Sequence, residues 1–244
     1  MVAKDVINAL NAPASAKVEQ KITKKVILDQ SNPTAQDKKQ ISEGIERIDW
    51  VLALKPSTIG ISEFKNDERE IKEVSVLHMD LRPKANRKRL VEFIHRAIPY
   101  PVFLVTTLGD SLQISLANKR YSQAESGAYV AEEIVEVDID GSKHVDEFLD
   151  RIALNRIQSS DLNQLVMNWQ NEMYSFMASE VTGEYRTQNA RVRKEAYVQY
   201  LLKDKALLQL KKQLKSEDHL QRQVELTQEI RRLKNEVTAL IQEL

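Results

Sequence analysis

The sequence predicts an α/β (α+β) protein: a mixed sheet with a βαβ crossover and a hairpin, followed by helices and a long C-terminal coiled coil. Three observations predict it. Residues 70–105 read strand, amphipathic helix, strand, which implies a parallel pair joined by a right-handed crossover. The segments after it, LQISLANKR and IVEVDIDG, alternate apolar and polar residues with the period of strands. Residues 187–244 contain neither proline nor glycine and repeat apolar side chains every three or four positions. Four segments result: an N-terminal helix and arm (1–34), a mixed α/β domain (35–142), a helical segment (143–186) and the coiled coil (187–244).

Residues 3–11 suit a short helix that stops near Pro13. The basic, partly alternating stretch 18–28 suits a short strand or an arm. Thr34 stands three residues before Asp37, a variant of the capping box, and Ile41, Ile45 and Ile48 form a helical stripe, so a helix is expected over 35–47. The period then changes. Ile48, Trp50, Leu52 and Leu54 alternate up to Pro56, as in a strand. TIGI (58–61) is a short strand or a turn. EIKEVSVLHMDLR (70–82) reads as one long strand with apolar residues on both faces, hence a central one: Leu77, Met79 and Leu81 on one side, Val74, Val76, His78 and Asp80 on the other.

Pro83 ends that strand. Leu90, Ile94 and Ile98, widened by Val91 and Phe93, give an amphipathic helix over 85–98. Pro99 and Pro101 push Ile98 and Tyr100 out of helical geometry, so HRAIPYPVFLV is a rigid corner from helix to strand. The nearly continuous apolar run PVFLVTTLGD suits a strand covered on both faces. A turn at 108–111 leads into Leu112, Ile114 and Leu116, and then Val135, Val137 and Ile139 face inward opposite Glu136, Asp138 and Asp140. Helices follow over 145–157 and 161–183, the second capped by Ser160 or Asp161 and ended by Gly183. Leu226, Ile230, Leu233, Val237, Leu240 and Leu244 are spaced 4-3-4-3-4, a heptad seam. Leu207, Leu210 and Leu214 show the same spacing in another register, with SEDH (216–219) between. This suits a coiled coil with a register break or a helical hairpin.

Composition removes several function classes. The chain has no cysteine, which excludes disulfides, thiolate catalysis and cysteine-held zinc. Six glycines leave no long glycine-rich phosphate loop. No window approaches the ~20 apolar residues of a membrane span, and the N-terminus has no apolar segment of signal type, so a soluble, cytoplasmic protein without membrane contact is expected. Lys plus Arg and Asp plus Glu number 36 each, so no global field draws the chain to nucleic acid.

Charge is nonetheless uneven. Residues 131–150 carry eight acids against Lys143, and residues 186–215 carry nine bases against Glu195 and Asp204. Solvated faces and mutual pairing are the plain explanation. The sharper one is a phosphate-contacting surface using Arg87, Lys88, Arg89, Arg191, Arg193, Lys194, Lys211 and Lys212, with Lys119 and Arg120 nearby. Few aromatics interleave with these bases, so base stacking has little support.

The order helix, strand, strand, helix, strand over 35–107 resembles the core of the restriction-endonuclease-like, PD-(D/E)xK fold. That resemblance implies an acid-x-Lys triplet beside a second acid, holding Mg²⁺ with hard oxygen ligands. The triplets here are Glu70–Ile71–Lys72 and Asp80–Leu81–Arg82, with Asp49 and Asp67 as candidate second acids. Arg82 stands where a lysine is needed, and a guanidinium stays protonated. The four histidines have no metal-ligand spacing. Ser111 and Ser115 have no visible triad partner. His95 and Arg96 close a helix, where cations suit the dipole. With Tyr100, Lys119 and Arg120 they form the expected binding surface of the α/β domain.

The segments DWVLALKPSTIGI, EIKEVSVLHMDL, HRAIPYPVFLV and SLANKRYSQ resemble the bacterial domain of unknown function 4391 family, over roughly 18–240. The resemblance implies a bacterial protein encoded beside helicases and DNA methyltransferases of restriction-type or antiphage clusters. The family commonly shows Glu-x-Lys where this chain has Asp80–Leu81–Arg82, and it supplies no cofactor or catalytic residue. The function expected is a non-catalytic interaction subunit working with a helicase or methyltransferase and self-associating through the coiled coil. Nucleic-acid binding through basic helices and a metal-dependent nuclease are the alternatives.

Overall fold

The computed structural model describes residues 1–29, 33–125, 127–187 and 189–244. The chain forms two compact units, residues 1–173 and 174–244. In the first, α1 (Ala3–Ala9) precedes β1 (Lys17–Lys21), α2 (Lys24–Asp29), α3 (Ala35–Gly44), β2 (Ile45–Leu54) and the single-turn α4 (Pro56–Ile59). Next come β3 (Phe64–Lys65), β4 (Glu70–Ile71), β5 (Val74–Leu81), α5 (Arg87–Ala97), β6 (Val102–Leu108), β7 (Ser111–Tyr121), β8 (Tyr129–Asp138) and α6 (Val145–Arg151). The boundary between units falls within α7 (Leu162–Thr182).

Six strands form one mixed sheet in the order β1-β2-β5-β6-β7-β8. Only β5 and β6, joined through α5, run parallel; the other neighbours are antiparallel. The expected crossover and hairpin are therefore both present. One face packs against α3 and α5. Ile41, Leu90, Val91 and Ile94 meet Ile45, Ile48, Leu77, Met79 and Leu104 there, all buried, and each such side chain contributes about 1.5–3 kcal/mol. On the other face Phe103 meets Trp169 edge to face at 5.1 Å, and the Trp169 indole donates to the Ile152 carbonyl at 2.8 Å.

Boundaries differ from expectation in several places: the helix expected over 145–157 ends at Arg151, and the stretch expected as a strand or arm over 18–28 is β1 followed by the helix α2. The helix expected over 35–47 ends at Gly44, because Ile45 is already extended and paired with Leu81. A Cβ at Gly44 would stand 3.0 Å from Leu90 Cδ1 and 3.2 Å from Ala85 Cβ, so a larger residue makes α5 or the Leu90 side chain give by a few tenths of an ångström. TIGI belongs to the α4 turn and its left-handed Gly60 cap, with Pro56 at the first helical position. The stretch 70–82 is two strands: β4 pairs with β3 in a separate ribbon, and β5 starts at Val74.

The two sheet edges differ. β1 carries a bulge between Lys17 and Gln20, with Glu19 in left-handed geometry at φ 52°. β8 presents Glu132, Glu133, Glu136 and Asp138. Arg69 grips Glu132 with two hydrogen bonds of 3.0 and 3.1 Å, and Arg87 meets Asp138 at 3.2 Å.

In the second unit, α8 (Ala190–Ser216) and α9 (Leu220–Glu243) are joined by three residues and pack together as an antiparallel hairpin. Lys203 pairs with Glu236 at 2.5 Å, and Arg193 Nε donates to the Leu244 carbonyl at 2.8 Å, which fixes the register. Leu226, Ile230, Val237 and Leu244 are buried, and Leu233 and Leu240 half-buried, while Leu207 of α8 is buried as well. The two registers seen in sequence are thus the two arms of a hairpin, and the seam closes within the chain. No described helix is long and apolar enough to cross a membrane.

Candidate functional site

The corner between α5 and β6 is built on a missing amide. In a continuing helix the N–H of residue 99 would donate to the carbonyl of residue 95. Pro99 has no N–H. The Lys119 ammonium, reaching up from β7, donates to the His95 carbonyl instead. Lys119 is 1% exposed, and burial pushes its pKa down to about 8. Its backbone N–H is held by Asn118 Oδ1 at 2.8 Å, and the Asn118 amide donates to Asn163 Oδ1 at 2.9 Å.

His95 is fully buried beside it, with Nε2 2.9 Å from Ser115 Oγ. Burial, reinforced by the Lys119 charge, pushes its pKa down to about 3. The imidazole is therefore neutral near pH 7, and Arg96 alone supplies the cation expected at this helix end. Ser115 does have a histidine partner, which sequence spacing did not reveal. The pair is sealed, however, and His95 Nδ1 meets no acid that would orient it.

The expected binding surface therefore divides in two. His95 and Lys119 are not surface groups: the sheet needs apolar cover over β7, and each gains its only polar contacts in the interior. Arg120 is half-buried and donates to the Tyr121 carbonyl at 3.2 Å. Arg96 and Tyr100 do reach solvent, and both line a cleft of about 700 Å³. Trp50, Tyr129 and Lys21 complete its character, together with the apolar Ile22, Val26, Ile98 and Pro99. Among the described residues, no aspartate or glutamate lines it. Lys21, Trp50 and Tyr129 carried no sequence signal, because they come from strands that are distant in the chain.

Of the acids proposed for a nuclease, Glu70 stands apart, while Asp49 and Asp80 come together on β2 and β5: Asp49 lies opposite His78, and Arg47, opposite Asp80, interacts with both acids. Glu70 lies on the separate ribbon, paired with Lys65 at 3.1 Å and Lys72 at 3.2 Å. Asp80 is on the main sheet, 3.1 Å from His78 Nε2, and Asp49 is paired with Arg47 at 2.5 Å. Thr107 Oγ1 contacts that same His78 nitrogen at 2.9 Å, so the histidine cannot relay a proton between Thr107 and Asp80. Arg82 donates to the Ser42 carbonyl at 3.1 Å, a structural tie across α3. Among the described residues, no group of three or more His, Asp or Glu is placed to hold a metal ion.

The cations expected to contact phosphate are mostly committed. Arg87 pairs with Asp138, Arg89 with Asp37 at 2.8 Å and Arg191 with Glu195 at 3.1 Å. Arg193 is buried and bonds Ser175 and Leu244. Lys194 lies over the Tyr174 ring at 5.2 Å. Lys88, Lys211 and Lys212 are in no ion pair among the described residues.

A family model matches residues 10–237, nearly the whole chain. The chain belongs to the family described as Domain of unknown function (DUF4391). The match takes in the whole six-stranded sheet, the corner with its Pro99, Lys119 and His95, and most of the hairpin of this DUF4391 protein. No curated protein and no solved structure matches it.

Proposed function

We propose that this DUF4391 protein is a non-catalytic accessory subunit that docks a larger partner through the outward face of α8. One observation carries the reading. While the α9 seam is consumed in the hairpin, Leu201, Leu202 and Leu208 of α8 stay 49–59% exposed. With Val198 they form a second apolar stripe; Lys205 and Lys212 stand within it and Lys211 and Lys215 beside it, all four in no ion pair among the described residues. An apolar stripe of this kind suits burial against another helix. The lysines select a helix bearing acids, and they oppose a second copy of α8, which would set lysine against lysine. The sealing of His95, Ser115 and Lys119 supports a role without chemistry. The partner class is the helicase or DNA methyltransferase that the family resemblance implies, in a restriction-type or antiphage system of the cytoplasm.

The test is affinity purification from the native host with the native chain and with Leu201→Ser/Leu208→Ser. The expected result is co-purification of a helicase or methyltransferase, lost in the double variant and weakened by salt. Equal recovery with both chains overturns the reading, as does a dimer that the double variant converts to monomer.

The free lysines of α8 favour a second reading, nucleic-acid binding. It requires binding to DNA or RNA that falls steeply with salt and is reduced by Lys211→Gln/Lys212→Gln but not by Leu201→Ser/Leu208→Ser.

A further inference from the structure

We infer that the cleft at the α5–β6 corner binds a small aromatic anion: a planar apolar body carrying one carboxylate, phosphate or sulfonate group. This goes beyond the docking reading and rests on the other unit of the chain.

The charge of the lining comes first. The chain has as many acids as bases, yet the described residues lining this cleft include Lys21 and Arg96 and no acid; Glu92, Glu132 and Glu136 lie with Arg96 in a separate recess, where Arg69 holds Glu132. Arg96 reaches over the Phe93 ring at 6.0 Å and is in no ion pair among the described residues; neither is Lys21. Glu73, near the cleft floor, does not cancel them. It is buried, accepts from Ser75 Oγ at 2.8 Å and pairs with Lys55 at 2.9 Å. The buried Lys119 ammonium adds a third positive charge behind the corner, with no carboxylate paired to it among the described residues.

The apolar part is aromatic. Trp50, Tyr100 and Tyr129 all line the cleft, in a chain that is only 6% aromatic. The Trp50 N–H is already spent on the Leu52 carbonyl at 2.9 Å, so its ring offers a face or an edge and no donor. Aromatic faces and edges prefer another ring. Tyr100 is 43% exposed although two prolines and the Lys119 tie fix the backbone that carries it. A fixed wall binds without paying to order itself. The volume, about 700 Å³, lies within the range of small-molecule sites.

The probe is 8-anilino-1-naphthalenesulfonate, an aromatic sulfonate whose fluorescence reports binding. Its neutral counterpart is N-phenyl-1-naphthylamine, which lacks the sulfonate. Both are titrated into the full chain, into Lys21→Gln/Arg96→Gln, and into Leu201→Ser/Leu208→Ser. Lys21 and Arg96 are exposed and in no ion pair among the described residues, and the urea midpoint separates loss of binding from the small cost of removing Arg96 from the helix end and the Phe93 ring.

The expected result is one sulfonate bound per chain, weakened at least about tenfold in Lys21→Gln/Arg96→Gln, which is a loss of ~1.4 kcal/mol. The neutral amine binds both of those chains equally. The inference is overturned if the sulfonate does not saturate at one per chain, or binds Lys21→Gln/Arg96→Gln as tightly as the native chain. It is also overturned if both probes weaken together, or if binding is lost in Leu201→Ser/Leu208→Ser.

Discussion

Lys119 donates its ammonium to the carbonyl of His95, the acceptor that Pro99 leaves without an amide. Two motifs that sit twenty residues apart, HRAIPYP and SLANKR, are thereby one device. The helix stops at the proline, and the strand that passes beneath supplies the donor the proline removed.

The first prediction concerns the coupling of Lys119 to Pro99. Lys119→Met relieves the burial of an ammonium but orphans a carbonyl, and each effect is worth about 1–3 kcal/mol. The net change near pH 7 is therefore small. Pro99→Ala, which restores an N–H, stabilises the Lys119→Met chain and not the native one. A double-mutant cycle by urea denaturation reads the coupling, expected at about 0.5 kcal/mol or more.

Lys119 also sets an alkaline slope. Its folded pKa is about 8, below the 10.5 of an exposed lysine. Between these values the unfolded chain holds the proton and the folded chain does not, so stability rises with pH from about 8 to 10.5. The gain is on the order of 3 kcal/mol. Lys119→Met flattens it, as urea midpoints at pH 7.5 and 10 will show.

His95 sets an acid slope of the same sign. Its folded pKa is about 3 against 6.5 unperturbed. Its contribution is complete above about pH 6.5 and is lost as pH falls toward 3. The share is on the order of 5 kcal/mol. In His95→Gln the amide holds Ser115 without titrating, so thermal melts between pH 6.5 and 4 lose less stability than those of the native chain.

Asp37 joins a helix start to α5. Thr34 Oγ1 accepts from its N–H at 3.2 Å, and Arg89 Nε donates to Oδ1 at 2.9 Å. The Thr34 hydroxyl first, and Arg89 after it, hold the Asp37 pKa below the usual carboxylate value. Asp37→Ala therefore costs about 2 kcal/mol or more, and Thr34→Ala about 1 kcal/mol, by chemical denaturation at pH 7. Both differences shrink as pH falls through the carboxylate range.

The two leucine stripes of the hairpin separate stability from association. Leu226 is 1% exposed, and Leu226→Ala costs about 2–5 kcal/mol. Leu201→Ser and Leu208→Ser, on exposed positions, each change stability by no more than about 0.5 kcal/mol. Circular-dichroism melts of the full chain distinguish them.

The sheet was legible because its strands are regular. Leu77, Met79 and Leu81 alternate, β6 is uniformly apolar, and prolines mark its start. The second leucine register marked the other arm of the hairpin. What was hidden lies in groups paired across the fold. His95 and Arg96 are neighbours in sequence, yet one is sealed and the other faces the cleft, because adjacent helix positions point about 100° apart. Nothing in the spacing shows that Ser115 meets His95, since the packing of α5 on the sheet brings them together. The seam at 226–244 looked the same whether it closed within the chain or between chains. The three-residue turn between α8 and α9 decided it.

The unequal borders of the sheet bear on solubility. An unpaired border strand invites another chain to add on. One border here is lysine-bearing and the other acidic, so unlike borders attract and molecules could stack head to tail without end. The bulge at Glu19 interrupts the ladder at the lysine side, and the arginine pairs of Glu132 and Asp138 leave β8 with less charge to attract it. Straightening that kink would remove one safeguard against fibres.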